Sequence, residues 1–144
     1  MFSVAGSQLR VTHFLQIKIW NMATSYRDLD IYKTSFRLFI RTHEFTLKLP
    51  QYELFELGSQ LRRSSDSVNT NIVEGYGRKR YKNDFIKFLT YSHASNDETI
   101  NHLEKLKILY PQFNTTISEL ITEYDSLGRK IHRFIDYVTS RWKA

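Results

Sequence analysis

Apolar residues recur at helical spacing in four blocks separated by short polar or proline-marked gaps. From Asp28 to Lys48 the stripe is Leu29, Tyr32, Phe36, Phe39, Ile40, His43 and Leu47, as one face of a helix requires. Asp28 and Asp30 lie near its start, where the helix dipole favours acids, and Pro50 stops it. A second helix is predicted from about Gln51 to Glu74 on the stripe Leu54, Leu57, Leu61, Ser64, Val68 and Ile72. Its later half holds Ser64, Ser65, Ser67, Asn69, Thr70 and Asn71, weak helix formers that only tertiary packing can hold. The third begins with Asn83 as N-cap and runs to about Tyr110, with Phe85, Phe88, Leu89, Ser92, Ser95, Thr99, Leu103, Leu106 and Tyr110 on one stripe. The fourth follows Asn114-Thr115-Thr116 and carries Ile117, Leu120, Ile121, Tyr124, Leu127, Ile131, Phe134, Ile135 and Val138. Gly128 interrupts it at about 1 kcal/mol relative to alanine.

Four helices with short connections predict an all-α fold, an antiparallel up-down-up-down four-helix bundle over residues 26–144. Five glycines and two prolines are too few for the many turns of a β-sandwich or barrel. Residues 1–25 read as an N-terminal extension, either a short edge strand or an unordered tail. "LRVTHFLQIKIW" partly alternates, and Met22 offers a second start that would make residues 1–21 an appendage. Gln16 and Lys18 break the apolar run that a secretory signal needs, and no run approaches the ~20 residues of a membrane span. The chain has no cysteine, which excludes disulfides, thiolate metal sites and a cysteine nucleophile, and fits a cytoplasmic location.

The 21 basic residues against 15 acidic ones give a net charge of +6, which suits nucleic acid or another anionic partner. The densest cations flank "NTNIVEGYGRKR", Asn69 to Arg80. Its G-x-G lacks the third glycine and preceding strand of a dinucleotide loop, and the Gly-Lys-Ser/Thr ending of a P-loop. Gly75 or Gly77 is instead predicted to end the second helix as a left-handed residue. Arg62, Arg63, Arg78, Lys79, Arg80, Lys82 and Lys87 are the candidate nucleic-acid-binding residues, with Tyr76 and Tyr81 interleaved as stacking surfaces. A solvated charged turn is the alternative.

Asn71 and Glu74 lie one turn apart, as do Ser95 and Glu98, so two antiparallel helices would bring them together as a register-setting polar network. A catalytic carboxylate is the sharper and less favoured reading. His93, Asp97, Glu98 and His102 share the third helix, but Glu98 is followed by Asn101 where a di-iron bundle needs histidine. No metal or cofactor is expected. "RLFIRTH" places Arg37 and His43 at a spacing that some helical ribonucleases use, although His43 falls on the apolar stripe as a core histidine would.

"DLDIY", "SQLRRSSDSVNTNIVEGYGR" and "FIKFLTYSHASNDE" resemble the bacterial four-helix-bundle family first found in intervening sequences of 23S ribosomal RNA genes. The most specific part is matched at Gln60, Leu61, Arg62, Arg63, Ser67, Val68, Asn71, Ile72, Glu74 and Gly75, with Ser95 and Glu98 on the next helix. The similarity runs from about Tyr26 to Tyr137 and excludes the N-terminal extension. It implies a homopentameric ring and no established enzymatic activity. A distant relative, the accessory protein of diversity-generating retroelements, is a basic pentamer that binds nucleic acid and a reverse transcriptase. The leading expectation is therefore a non-enzymatic oligomer whose basic surface contacts RNA or DNA. The alternatives are an oligomer that binds only a protein partner, and a ribonuclease using Arg37 and His43.

Overall fold

A computed structural model describes residues 4–143 of the chain, with side chains from residue 10 onward. Every regular element among them is helical: α1 (Val4–Asn21), α2 (Asp30–Thr46), α3 (Leu57–Gly77), α4 (Lys82–Leu109) and α5 (Asn114–Arg141), with single 3₁₀ turns at Tyr26–Asp28, Gln51–Leu54 and Pro111–Phe113. The N-terminal segment read as a strand or tail is thus a helix from Val4 onward. Leu15, Ile17 and Ile19 alternate only by coincidence, since Trp20 supplies the anchor that the period-two reading left out. Its ring packs edge-on to Phe134 at 5.3 Å and tilts against Tyr137 at 4.8 Å.

Each of α2 to α5 packs against two of the others, α2 on α3 and α5, and α4 on α3 and α5. Cross-helix bonds fix the register of α3 on α4 as antiparallel: Ser64 with Thr99 at 2.9 Å, Ser67 with Ser95 at 2.8 Å, and Ser92 Oγ donating to the Val68 carbonyl at 2.6 Å. Small hydroxyl side chains let the two backbones approach closely while keeping every buried hydroxyl bonded, which explains why weak helix formers are tolerated here. At the α4–α5 contact, the Asn96 amide donates to the Tyr124 carbonyl at 2.8 Å. Gly128 makes that possible, because a Cβ there would lie 2.9 Å from the Asn96 amide nitrogen.

The apolar stripes of α3, α4 and α5 are buried much as their periodicity predicts, with Leu61, Val68, Ile72, Phe85, Leu89, Leu103, Leu120, Leu127, Ile131 and Phe134 in the core. The α2 stripe is not. Its buried face is Ile31, Ser35, Leu38, Thr42, Phe45 and Thr46. Phe36, Ile40 and Leu47 are instead 48%, 41% and 60% exposed, and His43 also faces solvent. Hydroxyl residues occupy the inner face because each finds a partner within reach: Ser35 the Tyr32 carbonyl at 3.0 Å, Thr46 the His43 carbonyl at 2.7 Å, and Thr42 the Tyr124 hydroxyl at 2.7 Å.

Boundaries differ at two more points. Helix α3 starts at Leu57, not Gln51, and is capped from outside, since Glu53 Oε2 accepts from the Leu57 N–H at 3.0 Å. Helix α4 starts at Lys82 with Tyr81 as its cap, so Asn83 is not the N-cap.

Candidate nucleic-acid interface

Helix α3 does not end at Gly75. Gly75 is buried where α3 meets α4, and a Cβ there would lie 3.2 Å from Phe88 Cβ and 3.3 Å from the Phe85 ring. Gly77 is the last helical residue, Arg78 is a right-handed cap at φ −101°, and no described glycine has positive φ. The expected left-handed closure is therefore absent. Close packing against Phe85 and Phe88, rather than backbone handedness, is what favours glycine at Gly75. Closing the helices this near their ends leaves a connection of only Arg78–Tyr81, tied by the Arg78, Lys79 and Tyr81 amides to carbonyls of the preceding turn.

That turn carries the cations, each placed differently. Arg78 Nε donates to Glu74 Oε1 at 2.9 Å, its Nη1 lies 3.6 Å from Asp84, and its guanidinium covers the Phe88 ring at 4.8 Å. Lys79 Nζ sits 4.1 Å from the Tyr76 ring centroid. Arg80 lies 5.8 Å from the ring of Tyr81, and Lys87 5.9 Å from that of Tyr91. Arg80 and Lys87 are exposed, while Lys79 and Lys82 are half-buried. Glu74 and Asp84 both pair with Arg78, so Lys79, Arg80, Lys82 and Lys87 leave the turn with an excess of positive charge. Of the interleaved tyrosines only Tyr81 offers an open ring, at 63% exposure. Tyr76 is buried, its hydroxyl pushed up in pKa by desolvation and then by the Asp28 charge, so no base can stack on it.

Arg62 and Arg63 do not join this cluster. They precede Arg78 by 16 and 15 residues in the same helix, a separation of more than about 22 Å at 1.5 Å per residue. Arg62 is moreover occupied within the fold, donating to the Leu54 carbonyl at 2.6 Å and to Thr46 Oγ1 at 3.0 Å. Arg63 is exposed on the far stretch of α3. The structure ties the end of α5 to the turn, a link that sequence spacing could not show. Trp142 Nε1 donates to the Lys79 carbonyl at 3.0 Å, and its ring meets Phe85 at 5.2 Å. Trp142, a large aromatic just beyond the last polar turn of α5, was the available signal.

The expected polar network forms only in part. Asn71 Nδ2 donates to the Ser67 carbonyl and to Ser67 Oγ, both at 2.9 Å, and Ser67 bonds Ser95 across the helices. Glu74 and Glu98 stand outside it, with side chains 48% and 58% exposed. Glu74 pairs with Arg78, and Glu98 lies 3.4 Å from His102 Nε2. An exposed carboxylate has water as a partner and no need of the network. The buried carboxylate is Glu53, which accepts from the Tyr110 hydroxyl at 2.6 Å as well as capping α3.

Among the described residues no group of three or more histidine, aspartate or glutamate side chains is placed to hold a metal. His93 lies 3.7 Å from Asp97 as an isolated i,i+4 pair. Arg37 and His43 are not brought together: Arg37 and Arg41 both pair with Glu123 on α5, whereas His43 faces outward 6.1 Å from the Phe39 ring. Six residues turn a helix through about 600°, which puts the two side chains on different faces. No helix among the described residues is long and apolar enough to cross a membrane.

No curated protein matches the chain. The sequence model of the 23S rRNA-intervening sequence proteins matches residues 27–133, which spans α2 to α4 and most of α5, includes the whole basic turn and leaves out α1. By that match the chain belongs to the 23S rRNA-intervening sequence protein family.

Proposed function

We propose that the protein is a non-enzymatic, homo-oligomeric protein, a pentameric ring of four-helix bundles, that binds RNA or DNA through the α3–α4 turn. One observation carries the binding reading: Lys79 and Arg80 on a hydrogen-bonded turn, Arg80 beside the open ring of Tyr81, are followed by Lys82 and Lys87 at the start of α4, while the neighbouring acids Glu74 and Asp84 pair with Arg78. Phosphates would be neutralised by these side chains, and an unpaired base would stack on Tyr81. Arg78 serves mainly to brace the turn, because Glu74 and Asp84 already answer its charge. Self-association is supported by the apolar face that α2 leaves uncovered.

Filter binding of a structured RNA and of single-stranded DNA across a salt series tests this, with light scattering on the same samples. Wild type should bind at low salt with a steep salt dependence. Changing Lys79, Arg80 and Lys82 together to alanine should lower the slope by roughly 2, at about 0.7–0.9 per phosphate contact. Absence of binding at low salt, or a slope unmoved by the triple change, refutes the reading in favour of an oligomer that meets only protein partners.

A further inference from the structure

Helix α1 is polarised the wrong way round for a helix resting on its own domain. At about 100° per residue, Phe14, Lys18, Val11, Leu15 and Ile19 fall within one arc of about 140°. That arc points away from the domain: Val11, Phe14, Leu15 and Ile19 are 57%, 70%, 50% and 56% exposed. The opposite side, which faces α5, carries the anchors Ile17 and Trp20 together with His13 and Gln16. It does not close on the domain, and a cavity of about 260 Å³ lined by His13, Gln16, Lys130 and Arg133 lies beneath it. A helix that holds only two apolar anchors against its domain and turns four apolar side chains outward over a gap is built to be covered from outside.

Among the described residues, the uncovered face of α2 fits in length and charge. On α2, Phe36, Ile40 and Leu47 lie within about 40° of one another on the uncovered face, flanked by the exposed Glu44. Helix α1 has 18 residues and α2 has 17, so both are about 26 Å long. Lys18 stands in the middle of the α1 arc, and α1 contains no acid to oppose it, so Lys18 and Glu44 are complementary. We infer that α1 of one copy docks along the uncovered α2 face of another copy. Arm and stripe are different surfaces, so the contact is head-to-tail. Each copy makes it twice, and it closes into a ring where the rotation allows. The inference rests on the proposed self-association and names the contact that drives it.

The native absence of cysteine makes the contact directly readable. Two separately purified variants, Leu15→Cys and Ile40→Cys, are mixed and treated with a short bismaleimide, so that any adduct must join two copies. The expected result is a Leu15→Cys/Ile40→Cys adduct in the mixture and none in either variant alone. A Leu15→Asp variant, changed at an exposed site, should keep its helical circular dichroism and lose oligomeric mass. An oligomer without the mixed adduct overturns the arm contact and leaves self-association standing, whereas a monomeric wild type sinks both. Adducts of Leu15→Cys with itself overturn the contact in favour of arm-to-arm pairing. Flotation of wild type, but not Leu15→Asp, with vesicles containing phosphatidylserine, in the absence of the mixed adduct, overturns it in favour of a lipid surface.

Discussion

Arg62 belongs to the family motif and to the basic half of α3, yet the geometry makes it a structural residue. Its guanidinium reaches the Leu54 carbonyl at 2.6 Å and Thr46 Oγ1 at 3.0 Å, tying the start of α3 to the end of α2. Replacing it with alanine removes two hydrogen bonds from a charged donor, worth about 1.5–3 kcal/mol each when fully buried. Arg62 is only half-buried, so the sum is discounted to roughly 2–4 kcal/mol. For a chain near 150 residues that corresponds to a fall in Tm of roughly 5–15 °C. Arg62→Lys separates charge from fork geometry: it keeps the positive charge but cannot reach both acceptors from one planar group, so it should lose at least half as much. Urea denaturation gives the stability change, and RNA filter binding on the same variants gives the salt slope. Both variants should shift the urea midpoint and leave the slope of folded protein within well under ~0.7 of wild type, the weight of one phosphate contact. An Arg62→Ala protein with an unchanged midpoint and a slope lower by one contact would refute the assignment and restore Arg62 to the binding surface.

Two glycine changes should act in opposite directions. Gly58→Ala puts a Cβ 2.4 Å from the Glu53 carbonyl oxygen, so despite a gain in helix propensity it should cost about 1–3 kcal/mol in urea unfolding. Gly77→Ala meets nothing within 4 Å and needs no positive φ, so it should stabilise by up to about 1 kcal/mol; a loss would mean the α3 end is not helical as described. The Tyr110 hydroxyl is pushed up to about 12, first by its hydrogen bond to Glu53 and then by burial. Because the folded value lies above the unfolded one near 10, this bond stabilises fully below pH ~10 and is lost as pH rises toward 12. Ultraviolet titration should show a late tyrosinate that moves earlier in Glu53→Gln, and an unshifted titration in that variant would contradict the assignment.

The parts of the fold legible in the sequence are those where apolar side chains alone decide the buried face. Leu61, Val68 and Ile72, or Leu120, Leu127, Ile131 and Phe134, are large and regularly spaced, and all are buried. On α2 the rule fails because Ser35, Thr42 and Thr46 can be buried at little cost once their hydroxyls are bonded, and periodicity of apolar residues does not register a bond to Tyr124. The site shows the same divide. Arg78, Lys79 and Arg80 are adjacent in sequence and remain together in space. Arg62 and Arg63 seemed to belong with them only because they are near along the chain, and a helix converts that nearness into length. Trp142 is remote along the chain and close in space, a relation that only the packing of α5 on α4 creates.

The small residues between α3 and α4 connect the core to the proposed binding surface. Ser67, Ser92, Ser95 and Thr99 lock α3 to α4 in one register, since a slip by one residue would leave several buried hydroxyls unpaired at about 1–3 kcal/mol each. That register delivers Gly75 against Phe85 and Phe88, where only a hydrogen fits without the neighbours yielding. The helices consequently stay in contact almost to their ends, and the connection is short enough for Arg78, Lys79 and Tyr81 to be held by backbone hydrogen bonds. Cations on such a turn lose little backbone freedom when a phosphate arrives, so their affinity is less reduced by ordering. The glycine that resembles a phosphate loop in the sequence therefore bears on the proposed nucleic-acid contact only indirectly, by setting how tightly two helices close and so how Arg80 and its neighbours are presented.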